Sequence, residues 1–273
     1  MATTAPPRSL SVTCWGSPSA PKRALLIHGL MSSSGCWFRV AQALANEGYF
    51  VTAPDLLGHG TAPRSADCSL ATLAAALHPL FDATRPFSII VGHSFGGVVA
   101  LALLSILPTT HITPVLLLDP PILPPDQTPA HKQSMQRTER ICAVVVEEVT
   151  SKIPTVDGLM SANPKWSRED AVWKVLGAQL CDPAAIEAIF RQNFPWSFEH
   201  LLEIIPANVR LSIIAGDPAM HPAFFVDTAE AFPHIRTTSV EGATHSIHRE
   251  FPEVVSAAAL AAVAEVEGLS SRV

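Results

Sequence analysis

Short apolar runs alternate with longer amphipathic stretches along this chain. Ala24–Ile27 is such a run and ends in His28-Gly29, which predicts a buried strand and its exit loop. Phe38–Asn46 has helical spacing of its apolar positions, and Tyr49–Ala53 predicts a second strand, stopped by Pro54. Leu70–Phe81, rich in alanine and leucine, predicts a helix. Phe87–Val91 predicts a third strand, Val98–Leu107 a helix ended at Pro108, and Val115–Leu118 a fourth strand that runs into Asp119. Strands that are apolar on both faces, separated by helices, imply a mainly parallel sheet with helices on either side.

The pattern changes after Asp119. From 120 to 205 no clear strand is visible, and prolines and charged helical stretches dominate. Val144–Val146 is strand-like in composition but stands between Glu139 and Glu147-Glu148, so a helix is expected there. The alternation returns with a strand at Leu211–Ala215, a helix at Phe224–Phe232 and a strand at Thr237–Val240. A closing helix runs from Pro252 to about Glu267, with proline suited to its first turn. The simplest division is an α/β core, 1–119 and 206–273, interrupted by a helical lid, 120–205.

Composition narrows the class. The 273 residues are 48% hydrophobic and 15% charged, a globular balance, and the net charge of −6 leaves no basic surface for nucleic acid. No apolar run reaches the ~18 residues of a membrane span. Met1–Leu10 holds Arg8 and no apolar centre, so no secretory leader is expected. Cys14, Cys36, Cys68, Cys142 and Cys181 are scattered and form no paired motif; they are expected to be reduced thiols in a cytoplasmic protein. Metal-ligand spacings are absent from the sequence, so neither metal nor cofactor is expected.

The chemistry is concentrated in Gly92-His93-Ser94-Phe95-Gly96. A serine on a tight strand-to-helix turn projects its hydroxyl alone above a sheet, and glycines at 92 and 96 leave room for the neighbouring backbone. The predicted strand before and helix after supply that context. The N–H of Phe95 is one expected oxyanion donor, and the loop after the first strand should supply the second, from Leu30 or, next to it, Gly29. His28 is expected to fix that loop, and His93 to pack or position beside the nucleophile. His245, after the last strand, is the expected base, with His248 as competitor. Asp119 is the expected acid, with Asp217 as the alternative. Asp119 follows the strand after the nucleophile helix, and Asp217 lies in the loop after the penultimate strand. Both are at carboxyl ends of strands.

Taken together, His28-Gly29, Asp55–Gly60, Gly92–Gly97 and Gly242–His245 resemble the α/β-hydrolase superfamily over nearly the whole chain outside the lid. More narrowly, the chain resembles fungal zearalenone-lactonase-like enzymes, which carry their acid just after the strand that follows the nucleophile helix; there they have glutamate where this chain has Asp119. The Gly216 to Phe224-Phe225 layout is also similar, whereas the His28-Gly29 loop and much of the lid depart from the lactonases. The resemblance implies hydrolysis of an ester or lactone of a bulky, apolar small molecule. Trp166, Trp173, Trp196, Met160, Phe194 and Phe198 could line an apolar pocket above Ser94, with Met220 and His221 near the later loop. The same apparatus would serve a thioesterase, a carbon–carbon hydrolase, a cyclising acyltransferase or a low-turnover ligand receptor.

Overall fold

The computed structural model describes residues 9–107, 111–122, 131–224 and 226–270. Pro108 and Phe225 lie outside them, as does the stretch 123–130 with which the insertion begins. Among the described residues the strands are β1 (Val12–Trp15), β2 (Lys22–Ile27), β3 (Tyr49–Pro54), β4 (Ile89–His93), β5 (Thr113–Leu118), β6 (Val209–Ala215) and β7 (Arg236–Ser239). They form a single sheet in the order β1-β3-β2-β4-β5-β6-β7. β1 pairs antiparallel with β3, and every other pairing is parallel.

Strand geometry sends successive side chains to opposite faces, and the core divides accordingly. Leu25, Ile27, Ile90, Val115 and Leu117 point to one face. They meet α2 (Leu70–Leu77) and α3 (Phe95–Leu104) through Leu73, Leu77, Val98 and Val99. Ala24, Leu26, Ile89, Val91, Leu116 and Leu118 point to the other, against Val40 and Leu44 of α1 (Phe38–Asn46). Between β5 and β6 the chain forms α4 (His131–Thr150), α5 (Val156–Ala162), α6 (Arg168–Gln179), α7 (Pro183–Gln192) and α8 (His200–Glu203). These carry a small core of their own around Val145, Val149, Ile186 and Phe190. After β7 come α9 (Ile247–Glu250) and α10 (Pro252–Ser270), whose Val255, Ala259 and Val263 complete the α1 face.

Several element boundaries differ from the sequence reading. β1 was not expected: it is a short edge strand with three exposed residues, so it has no apolar run. β4 continues through Gly92 and His93, and α3 begins at Phe95 rather than Val98, because Gly96 and Gly97 are helical yet silent in a hydrophobic pattern. The helix from Leu70 stops at Leu77 and tightens into a 3-10 turn, His78–Leu80, around Pro79, which has no N–H to give. Where a helix was expected at Phe224–Phe232 there is a 3-10 turn, Val226–Ala231.

Candidate active site

Ser94 sits between β4 and α3 with φ 53°, the left-handed region where a side chain costs about 1–3 kcal/mol. Neighbouring backbone holds it there. Its N–H donates to the Leu118 carbonyl at 2.8 Å, and its own carbonyl accepts from Gly97 at 2.8 Å. The approach of α3 to β2 is close enough that a Cβ on Gly96 would overlap the Ile27 and His28 carbonyls. A Cβ on Gly29 would lie 2.8 Å from the Ser94 Cβ, so the loop after β2 lies directly against Ser94. Phe95, first in its helix, has an N–H without an intrahelical acceptor by position.

Asp119 follows β5 and also has positive φ, 45°. Its N–H extends the β5–β6 ladder to the Ile214 carbonyl at 2.8 Å. The side chain is fully buried and its carboxylate receives four donors. Oδ1 accepts from the N–H groups of Phe224 at 3.1 Å and Gly216 at 3.3 Å. Oδ2 accepts from the Ala223 N–H at 2.8 Å and from His245 Nδ1 at 2.6 Å. A buried carboxylate is tolerable only with such satisfaction. On the other side of the ring, His245 Nε2 is 2.8 Å from Ser94 Oγ. The three side chains therefore make one continuous hydrogen-bonded line.

Asp217 is engaged elsewhere. Its Oδ2 accepts from Gly242 at 2.6 Å and its Oδ1 from Ala219 at 2.9 Å. Those N–H donors hold its carboxyl below the ordinary value. The alternative acid thus closes its own turn and ties it to the histidine loop, without reaching the His245 ring. His248 is likewise turned away: it is buried between Trp37 and His93, with ring centroids 4.9 and 4.3 Å apart. His28 bridges two loops. Its Nδ1–H donates to the Gly29 carbonyl at 2.7 Å, and its Nε2 accepts from the Leu56 N–H at 3.1 Å.

The other expected pocket residues divide. Trp196 lies beside the nucleophile turn, stacked on Phe95 at 5.5 Å and on Phe190 at 4.3 Å. Leu30 is partly buried against both the main core and the insertion's own core. Trp166 and Trp173 stand between β5 and β6, and their rings are used for packing. Trp166 is buried with the Arg249 guanidinium over its face at 4.8 Å. Trp173 covers Gly35, where a Cβ would strike the indole, and its Nε1–H donates to Glu169 at 3.4 Å. Both pin α6 to the core. Met160 is half-buried in α5. Met220 is 47% exposed in the Asp217 turn, and His221 follows it exposed and with φ 54°.

One anchor escaped the sequence reading. Glu250 accepts from both the N–H and the hydroxyl of Thr244, each at 2.7 Å, and so clamps the residue before His245. A six-residue separation across a loop and a helix belongs to no recurrent pattern, so only the folded chain brings the pair together.

Similar proteins are found by both sequence and structure. Over 106 residues, 38% of this chain and 40% of the relative, the sequence is 39% identical to lipase LipV of Mycobacterium tuberculosis. It is 37% identical over 94 residues to esterase PIR7B of Oryza sativa subsp. japonica, covering 32% of this chain and 35% of the esterase. The matched stretches thus span well under half of either relative. In structure the chain is similar to a bromoperoxidase from Bacillus anthracis, with TM-score 0.71, 20% identity, and 92% and 94% of the two chains covered; at that identity the likeness speaks for the fold. The model of the alpha/beta hydrolase family matches residues 24–258, most of the chain and all of the elements that build the site. The chain belongs to the alpha/beta hydrolase family.

Proposed function

We propose that this protein hydrolyses carboxylic esters, lactones among them, of bulky apolar small molecules through an acyl-enzyme on Ser94. The observation that carries the reading is the line Ser94 Oγ, His245, Asp119, with separations of 2.8 and 2.6 Å. A proton can pass along the first of these contacts while the second holds the imidazole orientation.

Ser94 attacks the carbonyl carbon as His245 Nε2 takes its proton. The oxygen becomes negative and is held by the N–H groups of Phe95 and Leu30, where each such donor is typically worth about 3 kcal/mol. Asp119 stabilises the imidazolium that forms, and His245 returns the proton to the leaving oxygen. Water then attacks the acyl carbon as His245 takes its proton, and His245 returns that proton to Ser94 Oγ as the acid leaves. The His245 side chain is 42% exposed, so solvent reaches the base directly.

The substrate side of the proposal rests on the insertion. Residues 120–205 act as a helical lid, and Trp196, held against Phe95, offers an aromatic wall next to the nucleophile. The position of Asp119 directly after β5 supports the narrower likeness to zearalenone-lactonase-like enzymes.

The test is hydrolysis of p-nitrophenyl esters of increasing chain length and of zearalenone-type macrolactones, by wild type and by Ser94→Ala. Turnover that Ser94→Ala abolishes, rising with acyl bulk, supports the reading. Folded wild type that turns over none of these and is not labelled by a fluorophosphonate would refute it.

A further inference from the structure

We propose that His93 is the positioning residue for His245: its ring N–H holds the His245 main-chain carbonyl and thereby sets where the imidazole stands between Ser94 and Asp119. The inference rests on the assignment of Ser94 and His245 to acyl transfer.

His93 is the last residue of β4, immediately before the nucleophile, and it is buried. Its Nε2 lies 2.8 Å from the His245 carbonyl oxygen. A carbonyl can only accept, so Nε2 carries the proton and donates. Burial, reinforced by the neighbouring His245, holds the His93 imidazole well below its ordinary pKa, so it is neutral and this is its one proton. The ring packs against two other imidazoles. Its centroid is 4.9 Å from that of His245 and 4.3 Å from that of His248, which in turn lies against Trp37 at 4.9 Å. A column of rings thus backs the base from the interior of the protein.

The tether matters because of what else holds His245. Glu250 clamps Thr244, one residue earlier, and Asp119 holds the ring itself. His93 grips the main chain of His245 at its carbonyl. It ends the strand that leads directly into Ser94, so the nucleophile and the loop that carries its base are referred to one rigid element. A base displaced by ~1 Å can lose about a hundredfold in rate, which is the scale of effect such a tether would protect. His93 also remains neutral beside His245 as the latter charges, so it neither competes for the Ser94 proton nor repels the imidazolium.

Two substitutions separate the hydrogen bond from the packing. His93→Phe keeps a ring of similar size and removes the donor. His93→Gln places an amide N–H near the Nε2 position and removes the ring. On a short p-nitrophenyl ester, His93→Phe should lower kcat by about 30- to 100-fold with KM within about threefold and the melting temperature near that of wild type. His93→Gln should recover kcat to within about fivefold. Wild-type kcat in His93→Phe, or equal losses in both variants, would overturn the proposal. A second measurement needs no turnover. In long-range 1H–15N spectra of histidine-labelled protein, the ring that disappears in His93→Gln should be a neutral Nε2–H imidazole, and the His245 signals should move in His93→Phe more than in His93→Gln. A charged or Nδ1–H ring at position 93 would sink the tether, whereas an inactive wild type with no labelled Ser94 would sink the hydrolase reading instead.

Discussion

The sheet and the inserted helices are built to different tolerances. Around the sheet, main chain meets main chain: Ser94 N–H on Leu118, Asp119 N–H on Ile214, and Gly96 against the carbonyls of Ile27 and His28. The insertion depends on side-chain packing. Its small core leaves Val144 55% and Ile141 43% exposed, and an open groove of about 790 Å³ runs between α4 and α7 past Cys142, Val146, Phe190 and Phe194. It joins the core largely through side chains: Gln192 and Asn193 bond the main chain of Ala66, Cys68 and Leu70, Arg39 pairs with Asp170, Lys165 donates to the Gly242 carbonyl and Arg64 to the Leu180 carbonyl, and Trp196 stacks on Phe95. Backbone contacts cannot be repacked, whereas side-chain contacts can. Chemistry should therefore be brittle to change in the first region, and selectivity pliable in the second.

The largest effects should come from the line through His245. Ser94→Ala should lower ester turnover by about 10⁶-fold and Asp119→Asn by about 10⁴-fold. Asp217→Asn should cost less than about threefold, since its bonds go to Gly242 and Ala219. Steady-state rates of the three variants would show it, and the reverse ranking of the aspartates would move the acid to the later loop. Next, Gly29→Ala should lower kcat by about 10²-fold, because its methyl would sit 2.8 Å from the Ser94 Cβ and shift the oxyanion loop. Unchanged kcat there would mean that the core is less rigid than its contacts imply.

Acid should also find the core first. His28, His59, His93 and His248 are buried, and burial lowers the pKa of each from 6.5, that of His59 to about 3. Below the unfolded value of 6.5 the unfolded chain takes a proton at each site and the folded chain does not. Stability should therefore fall as pH drops from there towards the folded values, by about 1.4 kcal/mol per pH unit for each group, and should be indifferent to these groups at higher pH. Urea melts at pH 7.5 and 5.5 would measure it, and equal midpoints would contradict it. The smallest effect is expected in the insertion: Trp196→Leu should change the preference for bulky over acetyl esters by about tenfold while leaving acetyl turnover within about threefold. An equal loss on every ester would make Trp196 part of the rigid region.

Sequence patterns carried far in the core and less far elsewhere. The helix at Phe38–Asn46 ends where its periodicity ends, and the strands of the parallel sheet were visible as apolar runs because both their faces are covered. The serine turn was legible because its glycines answer a steric demand that no other residue meets. The acid was less sharply marked: Asp119 was the expected residue, but Asp217 also follows a strand. What separates them is the set of N–H groups from Gly216, Ala223 and Phe224 that converge on Asp119, and main-chain direction leaves no mark in residue type. The tryptophans of the insertion show the same limit. Trp166, Trp173 and Trp196 are alike in a hydrophobic pattern, and only packing sends two of them to Arg249 and Gly35 and one to Phe95.

The sandwich of Trp196 between Phe95 and Phe190 also gives the molecule an optical gauge. Phe95 belongs to the helix that follows Ser94 and Phe190 to α7, so the indole spans the seam between the two regions. Any parting of α7 from the sheet would remove one ring from its face and admit water. The emission of Trp196, isolated by replacing the protein's other four tryptophans, would then report the opening of that seam in real time.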